Sequence, residues 1–321
     1  MLKTWLKKWP LKWPQQWLDE FLGSVKSFDV EERLDLFAYR PLGFLIAKAA
    51  WRFDLWPVHL SIAGAVLGVA AAVLFGFSPA PTAVVWGAIL FFLSGVLDSS
   101  DGQLARMAKR STPFGLVLDG VCDNIVFAAV YIGSCLSVLQ QGYWTSAPAL
   151  FFLAIVAGIF HSMQASILDF YNREYLYFGC GRTEGDYWNP DLEEARAEAA
   201  KGSSLRERLF ARLRFSWLAQ QQMLTTRTVA WRQDLRGFVL GNSGPEKRDQ
   251  VMRAYRDHNR TMLRLWQLLG SNAHTILIIV FNAFGRFDLY LILVDCLALN
   301  AILVLARFLQ ARQDQRLAAT I

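Results

Sequence analysis

Residues 97–124 read LDSSDGQLARMAKRSTPFGLVLDGVCDN and join two long stretches, 55–97 and 124–168, that contain no Asp, Glu, Lys or Arg. Each uncharged stretch is more than twice as long as the ~20 residues that a helix needs to cross a hydrocarbon core. The quoted segment, which carries both acidic and basic residues, is therefore expected where two membrane-spanning helices reach the water. This pattern predicts a chain that crosses a membrane several times.

The composition agrees with a membrane protein and excludes several other classes. Of the 321 residues, 54% are hydrophobic and 19% are charged, whereas a soluble domain carries about 25% charged residues. A soluble enzyme, a disordered chain and a secreted disulfide scaffold are excluded. The four cysteines are unclustered, which argues against a zinc site. The net charge of +6 is typical of basic cytoplasmic loops facing anionic lipid, so we expect membrane lipids as partners and no nucleic acid.

We predict an all-α integral membrane protein, because backbone groups inside a membrane must be paired within their own helix. Six transmembrane helices are expected, preceded by amphipathic interfacial helices and divided by a large cytoplasmic insertion between spans four and five. The predicted spans are 57–77, 82–106, 114–139, 147–170, 265–285 and 288–309. The predicted regions are an amphipathic N-terminal segment (1–54), spans one to four (55–170), the insertion (171–264) and the last two spans with the tail (265–321).

The N-terminal segment has the pattern of a helix at the level of the lipid headgroups. Its tryptophans recur every four residues beside lysines, at Trp5, Trp9, Trp13 and Trp17. Indole rings and ammonium groups both favour that boundary. A helix that binds a partner protein is the alternative. Residues 31–53 are expected to form a second amphipathic helix.

The loop charges predict the orientation. In the connections 78–82, 140–147 and 284–288, only Arg286 is positively charged. The other Lys and Arg residues outside the spans fall on the opposite side, which the positive-inside rule makes cytoplasmic. Both termini, the insertion and the segment 97–124 are therefore expected to face the cytoplasm.

Four aspartates of the quoted segment form the candidate site. Asp98 and Asp101 are three residues apart near the end of span two. Asp119 and Asp123 are four residues apart near the start of span three. Spacings of three and four put side chains on one face of a helix. Two antiparallel helices joined by a short turn can thus direct four carboxylates to one point.

Carboxylates crowded at membrane depth repel one another and are costly to bury unless cations neutralise them. Mg²⁺ and Mn²⁺ prefer oxygen ligands, and two such ions about 3.5–4 Å apart are the usual clamp for phosphoryl transfer. Gly102 and Ala105 would let a phosphorylated ligand approach, Arg106 would offer it a planar guanidinium, and Gly115 would allow close helix contact. The alternative is four unrelated acids on a solvated rim, which explains fewer of these features.

The segment resembles the signature of the CDP-alcohol phosphotransferase family. In that signature Asp-x-x-Asp-Gly-x-x-Ala-Arg is followed by eight residues, Gly, three residues, Asp, three residues and Asp, and every fixed position from Asp98 to Asp123 matches. Members usually begin their first span with a Pro-Asn-x-x-Thr-like sequence. This chain departs from it with PVHLS at residues 57–61.

The resemblance implies a phospholipid-synthesising transferase that moves a phosphatidyl group from CDP-diacylglycerol to the hydroxyl of a polar alcohol and releases CMP. The alcohol could be a phosphorylated one, such as inositol phosphate or glycerol phosphate. By similarity, two Mg²⁺ or Mn²⁺ ions would be held by the four aspartates, and Asp123 would also be the general base. The nucleotide would lie against Gly102, Ala105, Arg106 and Gly115. The family also suggests a homodimer.

Recognition of a phosphorylated acceptor would require cations near the aspartates. The candidates are Lys109, Arg110, Arg173 and Arg264, each of which could instead be an ordinary interfacial charge. The aromatic stretch DFYNREYLYF at residues 169–178 could cover the site as a lid or anchor span four at the interface.

Two other functions stay open from the residues. An aminoalcohol phosphotransferase would use the same chemistry with a soluble CDP-alcohol donor and a lipid acceptor. A divalent-cation transporter would need polar residues along the whole membrane path, whereas the four aspartates cluster at one end. The polar residues deeper in the spans are His161, His274, Asp295 and Asn300. We expect the histidines in the core, and Asp295 and Asn300 either in a functional site or in helix packing.

Overall fold

The computed structural model describes residues 14–77, 80–182, 205–227 and 244–319, together with 231, 232, 234, 235 and 237. These residues are mostly helical and contain no strand, which confirms the all-α class. Trp5, Trp9 and Trp13 of the predicted headgroup segment lie outside the described residues, as does the acidic run 191–198 of the insertion.

The described helices follow one another with short turns over most of the chain. They are α1 (Gln15–Ser24), α2 (Arg40–Arg52), α3 (Pro57–Phe77), α4 (Pro81–Met107), α5 (Pro113–Gln140), α6 (Ala147–Gly179), α7 (Leu205–Leu224), α8 (Pro245–Trp266), α9 (Ser271–Ala283) and α10 (Phe287–Ala318). Several begin with proline, whose fixed φ and missing N–H suit a first helical turn. The Thr112 hydroxyl caps α5 by accepting from the Gly115 amide at 3.0 Å.

Five of the described helices are long and apolar enough to cross a membrane. They are α3, α4, α6, α10 and the part of α5 from Val117 to Gln140. These helices coincide with the predicted spans one to four and six, although α6 and α10 continue beyond the predicted ends. The chain is therefore an integral membrane protein.

The predicted fifth span, 265–285, differs in the structure. Its first residues belong to α8 and a short 3₁₀ turn, Gln267–Leu269, and the helix starts again only after Gly270. The resulting α9 has 13 residues, or about 20 Å of helix, against the ~30 Å of a hydrocarbon core. A side chain at position 270 would collide with the Glu32 carboxylate, so the chain passes close to the N-terminal segment at this break.

Although short, α9 ends at the same end of the bundle as α5. The turn that follows it contacts the turn between α5 and α6: the Trp144 indole donates to Asp288 at 3.2 Å, and the Arg286 guanidinium stacks on Tyr143 at 4.6 Å. Gly285 makes this turn possible with a φ of +67°, a conformation that favours glycine. The two turns therefore share one surface of the protein.

Helix α3 packs closely against α4 and α5 through small residues. A Cβ added to Gly133 of α5 would collide with the backbone of Ala72, and one added to Gly76 would lie 3.0 Å from the Gly133 Cα. Such close backbone contact is how helices associate where lipid removes the hydrophobic drive. The three helices that carry residues 57–124 therefore form one tightly packed unit.

A polar cluster joins α5, α6, α9 and α10 inside the bundle. The Tyr131 hydroxyl donates to Asp295 at 2.7 Å and lies 3.1 Å from the Tyr290 hydroxyl, and the buried rings of His161 and His274 stack at 3.7 Å. Both histidines are in the core, as expected. Asp295 holds helices of one chain together, which is the packing role among its two expected roles.

Asn300 satisfies backbone groups of the same region. Residues Tyr290–Leu299 form a π-helical stretch of α10, in which the usual hydrogen-bond pattern is shifted by one residue. The Asn300 amide donates to the Asp295 and Cys296 carbonyls, both at 3.1 Å, and Gln164 donates to the Asp295 carbonyl at 3.3 Å. These amides therefore stabilise an irregular helix turn.

The aromatic stretch 169–178 is neither a lid nor an interface anchor. It continues α6 by more than two turns, and its aromatic rings are buried. Tyr171 stacks on Trp266 at 4.5 Å, and Phe178 lies 5.5 Å from Tyr255. The rings are covered by α8 of the insertion. The sequence does not reveal this, because a buried protein core and a membrane interface can be equally rich in aromatic residues.

Candidate active site

The last turns of α4 and the first turns of α5 bring the predicted aspartates together. Carboxylate oxygens of Asp98, Asp101 and Asp119 all lie within 4.8 Å of one another. Asp101 is buried, Asp98 and Asp119 are half-buried, and Asp123 is exposed. Asp123 follows one turn later on α5 and interacts with Asp98. Three of the four predicted carboxylates therefore converge, and Asp123 lies outside their group.

A serine that the sequence argument did not select completes this group. The Ser61 hydroxyl, on α3, donates to Asp101 Oδ2 at 2.5 Å. Ser61 is the fifth residue of PVHLS, where the family pattern has threonine, so a hydroxyl at this position was the available signal. The departure from the pattern at the second position leaves this hydroxyl contact intact.

The carboxylates have a deficit of positive charge around them. Arg40 and Lys26 are the cations that act on Asp98, and Asp119 Oδ1 is buried without a hydrogen-bond partner among the described residues. Uncompensated buried carboxylate oxygens are costly. Clustered carboxylate oxygens are also the hard donors that Mg²⁺ and Mn²⁺ prefer. The residues present therefore fit a divalent cation.

The residues expected to contact a nucleotide lie beside the aspartates. Arg106 donates from Nε to the Ser24 carbonyl at 2.5 Å, and its guanidinium covers Gly102, where a Cβ would lie 3.4 Å from Nη1. Ala105 is half-buried, and Gly115 lies in the first turn of α5. A larger residue at position 102 would push against Arg106.

Three of the four cations suggested for acceptor recognition have other surroundings. Lys109 is exposed in the turn after α4. Arg110 pairs with Asp54 at 2.6 Å and stacks on Trp56 at 4.8 Å. Arg264 donates to the carbonyl of Glu31 and to the side chain of Gln267. Arg173 differs from them because it lines a cavity.

This cavity has a volume of about 170 Å³. Its charged and amide lining residues are Lys26, Glu31, Glu32, Asp35, Arg40, Asp169, Asn172 and Arg173. Arg40 connects the two sites, because it donates to the Ser99 hydroxyl at 3.2 Å, directly after Asp98 in the chain. No spacing rule brings these residues together, since they come from the N-terminal segment and from α6.

The carboxyl groups that line the cavity differ in pKa. Burial and the neighbouring Asp35 raise the pKa of Glu32 to about 8. Burial also opposes ionisation of Glu31, but the charges of Arg40 and Lys26 outweigh it and lower the pKa of that carboxyl. At neutral pH the cavity therefore holds both an ionised and a protonated carboxyl, and the protonated one can donate a hydrogen bond.

Comparisons with known proteins point to one family. The family model described as CDP-alcohol phosphatidyltransferase matches residues 55–175, which include Ser61 and the four aspartates. A phosphatidylinositol phosphate synthase from Mycolicibacterium smegmatis is 37% identical over 97 residues, or 30% of this chain and 42% of that protein. A CDP-diacylglycerol–glycerol-3-phosphate 3-phosphatidyltransferase from Haemophilus influenzae is 30% identical over 98 residues, or 30% of this chain and 51% of that protein.

A third relative is matched over a smaller share of its own length. A bifunctional IPC transferase and DIPP synthase from Aquifex aeolicus is 34% identical over 110 residues, which cover 34% of this chain and 23% of that protein. The matches thus span about half or less of the length of these relatives. No solved structure matches the chain.

Proposed function

We propose that this protein moves a phosphatidyl group from CDP-diacylglycerol to the hydroxyl of a polar alcohol and releases CMP, because residues 55–175 match the family model described as CDP-alcohol phosphatidyltransferase. The observation that carries the proposal is the convergence of Asp98, Asp101 and Asp119 within 4.8 Å. All three lie inside the matched region, at the end of two apolar helices where a lipid-linked donor can meet a soluble acceptor.

The aspartates would hold two divalent ions, Mg²⁺ or Mn²⁺. When bound, such ions supply charge stabilisation to the pyrophosphate of the donor and to the CMP that leaves. Asp98, Asp101 and Asp119 would be the ligands, with Asp123 at the edge of the set. Ser61 would hold one Asp101 oxygen in place through its hydroxyl, which leaves the other oxygen for the ion.

Asp123 would accept the proton of the attacking hydroxyl. Its exposed position lets a soluble alcohol reach it, and its carboxyl interacts with Asp98 of the acidic cluster. The alcohol oxygen forms a bond to the phosphorus on the lipid side of the pyrophosphate, the bond to CMP breaks, and the proton moves to Asp123. Gly102, Ala105, Arg106 and Gly115 would border the nucleotide.

The cavity beside the site supports a phosphorylated polyol as the acceptor. Lys26 and Arg173 offer positive charge to a phosphate, while Glu31 and Glu32 offer an acceptor and a donor to hydroxyl groups. The name of one relative contains a phosphorylated polyol, glycerol-3-phosphate, and that of another contains a lipid with a phosphorylated polyol headgroup, phosphatidylinositol phosphate. Lys109, Arg110 and Arg264 would take a lesser part, at the rim of the cytoplasmic surface.

The orientation follows from the same arrangement. We propose six crossings, with α9 as the short fifth one, because the turn after α9 contacts the turn between α5 and α6. Both termini, the insertion and the aspartates would then face the cytoplasm, where the excess of basic residues lies. A homodimer is the proposed assembly.

Release of CMP tests the proposal. The purified protein in lipid, with Mg²⁺ or Mn²⁺, would be given CDP-diacylglycerol and in turn glycerol phosphate, inositol phosphate, inositol, serine and glycerol. We expect CMP with a phosphorylated polyol and none after EDTA. CMP only from CDP-choline or CDP-ethanolamine with diacylglycerol would replace the proposal with an aminoalcohol phosphotransferase. Activity unchanged by EDTA would contradict the metal site.

A further inference from the structure

Residues at the start of the insertion line the cavity that we propose for the acceptor. Arg173 lines this cavity, and its Nη1 is buried without a hydrogen-bond partner among the described residues. Its Nε donates to Asp169 Oδ1 at 3.0 Å, so one edge of the guanidinium is fixed and another is available to a ligand. An arginine held in this way presents a preformed donor to an anionic group.

Helix α7 determines where that guanidinium lies. The ring of Trp217 packs under Arg173, with 4.5 Å between the guanidinium carbon and the ring centre. Gln221, one turn later, donates to the Ser166 carbonyl at 3.0 Å and to Asp169 Oδ2 at 3.3 Å. The Trp217 ring therefore holds the Arg173 guanidinium on one face, and the Gln221 amide holds the Asp169 carboxylate that pairs with Arg173.

The end of α7 is itself anchored in the protein core. Arg227, three residues after the helix, is buried and donates to Asp314 at 3.1 Å, to the Tyr255 hydroxyl at 2.6 Å and to Asn259 at 2.8 Å. It also pairs with Glu174, directly after Arg173. Burial alone would lower the pKa of Arg227, but the acidic groups around it raise that pKa further above its usual range.

This anchor fixes the register of α7 against α6. Arg227 contacts α6, α8 and α10 at once, and Gln220 reaches Ser162 of α6 at 3.5 Å. The helix cannot slide along α6 without breaking these contacts. Trp217 and Gln221 are thus presented to Asp169 and Arg173 in one position.

We propose that Trp217 and Gln221 are positioning residues that set the affinity and selectivity for a phosphorylated acceptor by orienting Arg173. This inference rests on the proposed function, and it adds to it a role for α7. Helix α7 lies beyond residues 55–175, the part that the family model matches. The insertion would therefore supply acceptor selectivity to a transfer site built by α3, α4 and α5.

Steady-state kinetics of CMP release separate this role from a structural one. We expect Trp217→Leu to raise the KM for the phosphorylated acceptor roughly 3- to 10-fold, the size of a lost cation–π contact. The KM for CDP-diacylglycerol and the kcat should stay near those of the wild type. Trp217→Phe keeps an aromatic face and should recover most of the affinity. Gln221→Met keeps the volume, removes the amide, and should raise the same KM.

Tyr143→Leu is the matched control. It removes a cation–π contact of nearly equal length, 4.6 Å to Arg286, at the opposite end of the bundle. We expect it to leave both KM values unchanged. The KM for the unphosphorylated form of one alcohol divided by the KM for its phosphorylated form should shrink in Trp217→Leu and Gln221→Met alone.

The outcomes distinguish this inference from the proposed function. A wild-type protein that releases no CMP with any acceptor would overturn the proposed function itself. An active wild type whose acceptor KM is unchanged in both Trp217→Leu and Gln221→Met would overturn the role of α7 alone. A variant with equal increases in both KM values would show a general loss of structure and would also contradict positioning. Should Trp217→Leu fail to fold, Gln221→Met decides the question.

Discussion

The chain contains two clusters of acidic side chains that are neutralised in opposite ways. Around Arg227, Glu174 and Asp314 receive hydrogen bonds from one fully buried guanidinium. Asp98, Asp101 and Asp119 instead face one another, with a serine hydroxyl as their neutral partner and Asp119 Oδ1 unpaired. The first cluster carries its own counter-charge and holds helices together. The second has fewer cations nearby than carboxylates, which is what a site for a divalent cation requires.

The strongest test of this difference between the clusters is to neutralise one acidic side chain in each. Asp119→Asn should abolish CMP release, because it removes a proposed ion ligand, while its melting temperature without divalent ions should equal or exceed that of the wild type. Asp314→Asn should lower the melting temperature, because it removes a partner of buried Arg227. Both variants would be measured in the same lipid mixture.

Thermal shift with Mg²⁺ is the control for this pair. The wild type and Asp314→Asn should gain melting temperature when Mg²⁺ is added, since a ligand that binds the folded state stabilises it. Asp119→Asn should gain little. Full activity in Asp119→Asn would disprove the proposed assignment of ligands.

A second test separates the general base from the ligands. Asp123→Asn should fold normally and lose about 10²- to 10⁴-fold in turnover, the usual contribution of a general base. Its shift in melting temperature with Mg²⁺ should remain, because the three converging carboxylates are intact. Near-normal CMP release from this variant would remove Asp123 from the proposed mechanism.

A third test addresses the neutralised cluster. Arg227→Met should cost about 3–5 kcal/mol of folding free energy, because it leaves Glu174 and Asp314 buried without their cation. Arg227→Lys should cost less, since it keeps the charge but not the planar fork. Unfolding in mixed micelles measures both. Arg286→Met, at a partly exposed pair with Asp288, should show no comparable loss; equal losses at the two sites would contradict the special role of the buried pair.

The last test concerns the cavity between the clusters. The pKa of Glu32 is raised to about 8 in the folded protein, whereas an unfolded glutamate titrates near 4.3. Between these values the folded state holds a proton that the unfolded state has released, so stability should fall as the pH rises from about 5 to 8. Glu32→Gln should flatten that slope in a series of melting temperatures. Identical slopes would show that Glu32 does not carry the pH dependence.

Much of the membrane architecture could be predicted because length and absence of charge directly determine a span. Residues 57–77 form a helix with the predicted bounds, and the next three helices begin within a residue of the predicted positions. The fifth span was predicted as one continuous helix because its apolar content gives no sign of the break at Gly270, where the chain lies against Glu32, far away in the sequence. The burial of 171–179 was missed for a similar reason, since α8 and a lipid surface favour the same aromatic residues.

The candidate site divides in the same way. The spacing of the aspartates is local, so their convergence was predictable from helix geometry. Ser61 was within reach of a sequence argument, because a hydroxyl stands where the family pattern has threonine. Trp217, Gln221 and Arg227 were not, because their partners on α6, α8 and α10 are separated from them by tens of residues.

The glycine contact between α3 and α5 has a consequence for motion. A Cβ has no room at Gly133, so α3 and α5 cannot rock against each other without separating their backbones. Ser61 and the aspartates therefore lie on helices whose relative positions are fixed. A lipid-linked donor must enter the site and its product must leave. We expect the helix motion that allows this on the other side of the site, where helices meet through side chains rather than backbones.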